Sequence, residues 1–99
     1  MTVKEAVILV LIKSAPDTPE AKRAVRLAAD MGADLVLIQS AVYLACEKAA
    51  GLRGSAYALD EDLRLRGLGP EADIGAVKRI DYDMLVDLLV TADRVHGAF

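Results

Sequence analysis

The sequence has little of what disulfide-rich, metal-binding and membrane proteins are built from. Its one cysteine, Cys46, excludes an internal disulfide framework. Its one histidine, His96, has no cysteine or second histidine at ligand spacing, so we expect no metal site and no cofactor. The apolar run over residues 6–12 has the length of a strand and is too short to cross a bilayer, so we expect no membrane contact.

Basic residues are neither in excess nor clustered. Twelve Lys and Arg stand against 15 Asp and Glu, which gives a formal net charge of −3. Binding of nucleic acid through phosphates needs clustered basic side chains, so we expect no direct nucleic-acid binding. The first residues also lack the charged and apolar layout of a signal peptide, and with so little cysteine this favours a cytoplasmic protein.

Common catalytic motifs are missing as well, while apolar residues are abundant. The chain has no nucleophile elbow, Walker motif or dinucleotide fingerprint. Hydrophobic residues make up 55% of its 99 residues, enough chain for one domain over residues 1–99. A domain this small cannot bury all of that surface, so we expect an interface with copies of itself or with other subunits. A generous core is the alternative.

Apolar, strand-like segments alternate with helical ones along the chain. We predict strands at residues 6–12, 34–38, 55–59 and 76–80, with a last extended segment at 96–99. We predict helices at residues 19–31, 40–50, 60–65 and 82–93. Thr18 as N-cap, Pro19 at the first helical position and Gly32 at the end delimit the first helix. This alternation predicts a single small α/β domain, with a mostly parallel sheet of four to five strands flanked by helices.

Three segments carry a more specific pattern. Residues 37–45 read Leu-Ile-Gln-Ser-Ala-Val-Tyr-Leu-Ala, and residues 80–88 read Ile-Asp-Tyr-Asp-Met-Leu-Val-Asp-Leu. Residues 57–68 read Tyr-Ala-Leu-Asp-Glu-Asp-Leu-Arg-Leu-Arg-Gly-Leu. This last block resembles, almost residue for residue, the DsrH (TusB-like) branch of the DsrE/DsrF/DsrH-like sulfur-relay family. In the first segment Ser40-Ala41 replaces the family's usual Asp or Asn followed by Gly, and Phe99 resembles its final aromatic residue.

The resemblance implies a DsrEFH-like fold and a role in persulfide transfer. Proteins of this family pass sulfur between cysteines, toward 2-thiolation of the tRNA wobble uridine or within sulfur oxidation. They assemble with DsrE- and DsrF-like subunits, of which the DsrE-like one usually carries the main catalytic cysteine. Some DsrH members have a cysteine in the first helix, near Val25 here, but this helix has none. The resemblance therefore favours a structural, partner-binding subunit over a catalytic one.

Cys46 is the only residue that could accept sulfur in this chain. In an α-helix it would lie one turn after Val42 on an apolar face, which predicts a buried, packed thiol. The alternative is a sulfurtransferase that carries persulfide on Cys46.

Other candidate residues lie at the predicted turns and at the end of the chain. Ser40 is either an N-cap or part of an anion site, and Tyr43 either packs inside or faces a partner. We expect Asp81 to cap a helix. We also expect the acidic cluster at residues 60–62 to cap a helix rather than to bind a metal. The further interface candidates are Tyr82, His96 and Phe99. A third alternative is a small anion- or ligand-binding module that uses the turns at Ser14 and Ser40.

Overall fold

The computed structural model describes residues 6–47 and 54–99, in which strands and helices alternate. The strands are β1 (Ile8–Ile12), β2 (Asp34–Leu37), β3 (Ala56–Leu59), β4 (Lys78–Ile80) and β5 (Arg94–His96). The helices are α1 (Pro19–Met31), α2 (Asp60–Leu65) and α3 (Tyr82–Thr91), and a 3₁₀ segment (Gln39–Glu47) joins β2 to β3. The strands form one sheet in the order β4-β3-β2-β1-β5, with every neighbouring pair parallel. The predicted α/β fold is confirmed, with five strands.

The register of the sheet sorts its side chains onto two faces. Val10 pairs with Leu35 and Leu35 with Ala56 on what we call the first face. Leu11 pairs with Val36, which pairs with Tyr57, on the second face. Apolar residues occupy both faces of the central strands, which explains why these strands read as continuous apolar runs rather than as an alternation.

Helix α1 covers the first face with small side chains. The Thr18 hydroxyl accepts a hydrogen bond from the Ala21 N–H at 3.2 Å, which caps the amino end. Gly32 ends the helix in the left-handed conformation, at φ 64°, where a glycine avoids the steric cost of a side chain. The helix residues that are buried are Ala21, Ala24 and Ala28. Their methyl groups let the helix axis approach the sheet closely.

Helix α3 crosses the second face. Its flanking strands, β4 and β5, lie at opposite edges of the sheet, so this connection traverses all five strands. The three earlier connections step the other way, and right-handed crossovers then place α3 on the opposite side from α1. Leu9 and Val36 lie on the second face and are fully buried, as this arrangement requires.

Several predicted boundaries differ from those observed. The segment predicted as an α-helix at 40–50 is a 3₁₀ segment over Gln39–Glu47, and residues 48–50 of that prediction lie outside the described residues. The last strand is Arg94–His96 rather than residues 96–99, and α3 ends at Thr91 rather than near residue 93. Within the described ranges, no helix combines the length and the apolar composition that a membrane span requires.

Candidate functional site

The carboxyl ends of the five strands meet at one edge of the sheet, where ligands of open parallel sheets commonly bind. Ser40 follows β2, Asp81 and Tyr82 follow β4, and Phe99 follows β5. The fold therefore brings four of the predicted site residues to the same edge. His96 is the last residue of β5 and lies on the first face, where it pairs with Val10.

The 3₁₀ segment presents three of the candidate residues on one line. A 3₁₀ helix has three residues per turn, so residues at i, i+3 and i+6 lie above one another. Ser40, Tyr43 and Cys46 have this spacing, and Tyr43 is 41% exposed while Cys46 is also exposed. The prediction of a buried thiol was wrong, because it assumed α-helical spacing. The 3₁₀ spacing leaves Val42 and Ala45 inside and turns Cys46 outward.

The turn before this segment is held by α2. Gln39 adopts the left-handed conformation, at φ 50°, and its N–H donates to Asp62 Oδ2 at 2.7 Å. The residue in the left-handed conformation is thus Gln39. It is not Ala41, the position at which the family usually has glycine. Ala41 is fully buried. Asp62 acts as a positioning residue for the turn, a role that sequence spacing alone did not reveal.

Of the two roles considered for Ser40, the N-cap does not fit the structure. Ser40 lies second in the 3₁₀ segment, after Gln39, and its hydroxyl makes no hydrogen bond within residues 6–47 and 54–99. The hydroxyl is therefore free to meet a ligand or a partner. Together, Ser40, Tyr43 and Cys46 form a small mixed surface with a hydroxyl, a phenol and a thiol.

The acidic cluster after β3 forms ion pairs. Asp60 accepts from Arg64 Nε at 2.7 Å and from Arg79 Nη1 at 2.9 Å. These two guanidinium groups, Arg64 first, lower the pKa of the Asp60 carboxyl from its usual value. The N-cap of α2 is Leu59, without a side-chain cap, so the prediction that Asp60 caps this helix was wrong. The described residues contain no group of three or more His, Cys, Asp or Glu side chains that could hold a metal ion.

The turn after β1 is occupied by the end of the chain. The N–H groups of Lys13 and Ser14 both donate to the Phe99 carbonyl oxygen at 3.1 Å, and the Phe99 N–H donates to Leu11 at 2.9 Å. The Thr18 hydroxyl also donates to Ala15. The N–H groups of Lys13 and Ser14, which an anion at this turn would need, are therefore already used inside the chain.

The remaining candidates have distinct surroundings. Asp81 caps α3, because its Oδ1 accepts from the Met84 N–H at 2.8 Å, as predicted. Tyr82 is 54% exposed, and Phe99 is half-buried and packs against the core of the first face. His96 is half-buried, and its Nε2 has no hydrogen-bond partner among the described residues.

A cavity that no sequence pattern indicated lies beside the 3₁₀ segment, on the first face. Its volume is about 690 Å³, and its walls include Leu35, Leu44, Ile74 and Val77. None of the predicted site residues lines it. The walls are mainly apolar, and Ser55, Asp73 and Lys78 are the polar and charged side chains among them.

Helix α3 carries an exposed apolar surface. None of its residues is buried, although most are apolar. Tyr82 and Val86 are each 54% exposed and Val90 is 76% exposed. These residues are four apart, so they form one line along the helix.

Comparison with known proteins gives a consistent result. A family model described as "DsrH like protein" matches residues 13–95. The solution structure of Tm0979 from Thermotoga maritima is similar, with a TM-score of 0.66 and 33% identity, over 85% of this chain and 92% of that chain. The ychN protein from E. coli has a TM-score of 0.75 over 92% of this chain and 97% of that chain, and at 17% identity it shows likeness of fold alone. No curated protein matches the chain.

Proposed function

The chain belongs to the DsrH-like family, and from this premise we propose that it is the partner-binding subunit of a sulfur-relay system. The family supports the sulfur-relay role. In the proposed division of labour, this chain holds and orients a subunit that carries the reactive cysteine, and it does not carry sulfur itself.

The observation that carries this proposal is the exposed apolar surface of α3. Exposed apolar side chains that form a continuous line mark sites of protein association. Tyr82, Val86 and Val90 form such a line, and the same helix buries none of its residues within the described chain. A subunit that acts by association needs a surface of this kind.

The setting of Cys46 supports the same division of labour. Relay cysteines react as thiolates and are activated at helix amino ends or beside basic groups. Cys46 lies instead near the carboxyl end of the 3₁₀ segment, next to the exposed Glu47. This position is not the amino end of a helix, where activated relay cysteines lie.

The partners that fit this proposal are DsrE- and DsrF-like subunits, with further copies of the chain as an additional component. The assembly would work in the cytoplasm, either in 2-thiolation of the tRNA wobble uridine or in sulfur oxidation. In this scheme the chain contacts protein rather than RNA, in keeping with its net charge of −3.

Reconstitution with DsrE- and DsrF-like subunits from the same source tests the proposal. We expect a stable complex in size-exclusion chromatography, and sulfur transfer that requires this chain. The Cys46→Ser variant should support transfer as well as the wild type does, with Ser40→Ala as a matched control on the same surface. Absence of a complex at micromolar concentrations would refute the proposal.

A second candidate function rests on the exposure of Cys46. As a sulfurtransferase, the Cys46 thiolate would attack the outer sulfur of a donor persulfide. A new S–S bond would form on Cys46 Sγ, and the donor's S–S bond would break to release the donor as a thiolate. Intact-mass spectrometry after incubation with a cysteine desulfurase and cysteine separates the two functions. Gain of one sulfur that reductant removes, and that is absent in Cys46→Ser, would establish this second function.

The third candidate, a small anion-binding module, has less support from the geometry. The N–H groups of Lys13 and Ser14 donate to Phe99, and that of Gln39 donates to Asp62. Thermal-shift measurements with phosphate, nucleotides and sulfur oxyanions test this candidate, and we expect no stabilisation.

A further inference from the structure

We propose that the outer surface of α3 binds a protein surface with an apolar centre and a rim of arginine or lysine. The outer surface of α3 comprises Tyr82, Val86 and Val90 together with Asp83 and Asp87. This inference rests on the proposed partner-binding function, and adds to it the location of the contact and the chemistry of the partner.

The apolar part of this surface has no counterpart on helix α1. On α1 the side chains that face away from the sheet include Lys22, Arg23 and Arg26, all of them exposed. On α3, Val90 is 76% exposed in the equivalent outward position. Interface centres are built from apolar and aromatic residues of this kind, and Tyr82 supplies an aromatic one.

The charged part of the surface is purely acidic. Asp83 and Asp87 are exposed and lie one helical turn apart, where two like charges repel each other weakly. Helix α3 contains no lysine, arginine or histidine that could offset them. Because interfaces pair opposite potentials, the cations that complement these carboxylates come from the partner.

The same charges argue against a second copy as the occupant. A two-fold axis that pairs two α3 outer surfaces would bring together two copies of Asp83 and two of Asp87. Neither helix would contribute a cation to this contact. Like charges juxtaposed in an interface suppress association, so the charge pattern favours a different, basic partner.

Titration of the isotope-labelled chain with two designed helical peptides, followed by NMR, tests this inference without any natural partner. Both peptides carry the same line of leucines, flanked by arginines in one and by glutamates in the other. We expect the arginine peptide to bind more tightly, and the shifted resonances to map to α3. The double variant Asp83→Lys/Asp87→Lys should weaken arginine-peptide binding by roughly tenfold and reverse the preference. Asp30→Lys, at an exposed position on α1, is the matched control and should change little.

Three results would overturn the inference. The first is that the two peptides bind equally, or that neither binds. The second is that the shifted resonances map away from α3. The third is concentration-dependent broadening confined to α3 without peptide, which would assign the surface to a second copy. The reconstitution experiment is independent of these results, because it reports complex formation wherever the contact lies. Failure of the proposed function and failure of this inference are thus distinguishable.

Discussion

Helices α1 and α3 lie on opposite faces of one sheet, and their packing differs. Helix α1 buries Ala21, Ala24 and Ala28 completely, and the side chains on its outer side include several charged ones. Helix α3 buries none of its residues, and Val86 and Val90 point outward. The sheet is buried beneath both helices, since Val10 on the first face and Leu9 on the second are both fully buried.

The two helices therefore differ in how far the chain itself covers their apolar side chains. The surface of α1 is fully accounted for by packing within the chain and by solvation of its charges. The surface of α3 keeps apolar area that a small domain gains nothing by exposing, and this area is what a partner would cover. Of the two helices, α3 is therefore the one that keeps large exposed apolar side chains.

The largest expected effect is on the α1 side. Ala24 is fully buried, so Ala24→Leu inserts carbon atoms into a packed contact and should lower the free energy of unfolding by about 1–3 kcal/mol. Urea denaturation measures the change, and Arg23→Leu at the neighbouring exposed position is the control. An unchanged midpoint for Ala24→Leu would mean that α1 is as loosely packed as α3.

Removing the cap of α1 or of α3 should lower stability by a similar amount, but the two losses should affect different parts of the molecule. Thr18→Ala and Asp81→Ala each remove one capping hydrogen bond, worth about 1 kcal/mol. We expect Asp81→Ala to accelerate hydrogen exchange mainly in α3, because no residue of this helix is buried. Thr18→Ala should act on global stability, measured in the same exchange experiment. Equal and global effects of both variants would contradict the contrast between the helices.

The ion pairs of Asp60 on α2 should make the free energy of unfolding depend on pH. Because the pKa of Asp60 is lowered, its carboxylate stabilises the fold at pH values above the usual carboxyl range, near pH 4. This stabilisation is lost as the pH falls through the lowered pKa of Asp60. At neutral pH, Asp60→Asn should therefore cost up to about 1 kcal/mol, and the gap to wild type should close in acid. Thermal melts across this pH range measure it.

The control for this pH series is Asp83→Asn on α3. Asp83 forms no ion pair within residues 6–47 and 54–99. Its variant should stay close to wild type at neutral pH. A gap for Asp60→Asn that persists unchanged at low pH would show that its loss is not electrostatic.

The smallest expected effect is on the outer surface of α3. Val90→Ser replaces a side chain that is 76% exposed, so the free energy of unfolding should change by no more than roughly 0.5 kcal/mol. Binding to the arginine peptide should weaken nonetheless. A large loss of stability would show that Val90 packs within the chain.

Sequence reasoning succeeded where the physical signal was strong and local. The amphipathic pattern of α1 and its caps at Thr18 and Gly32 define that helix, and the apolar runs of β1 and β2 define the centre of the sheet. The segment at 39–47 is apolar on nearly every side, so its pattern does not distinguish three residues per turn from 3.6. Because of that ambiguity, Cys46 was predicted to be buried, whereas it is exposed.

Long-range contacts account for the other differences between the predicted and the observed structure. Strand β5 has only three residues, two of them Arg94 and His96, so it lacks the apolar run that marks the central strands. Its position follows from pairing with β1, which no local pattern encodes. The contact between Asp62 and Gln39 likewise joins residues 23 positions apart. Its cause is the adjacency of β2 and β3 in the sheet.

The claim that α3 is the partner-binding surface can be tested by hydrogen exchange with mass spectrometry. Exchange is measured on the free chain and on its mixture with DsrE- and DsrF-like subunits. We predict that α3 exchanges faster than α1 in the free chain, and that the partners slow exchange in α3 while leaving α1 unchanged. Protection of α3 equal to that of α1 in the free chain, or partner-induced protection confined to α1, would contradict the account.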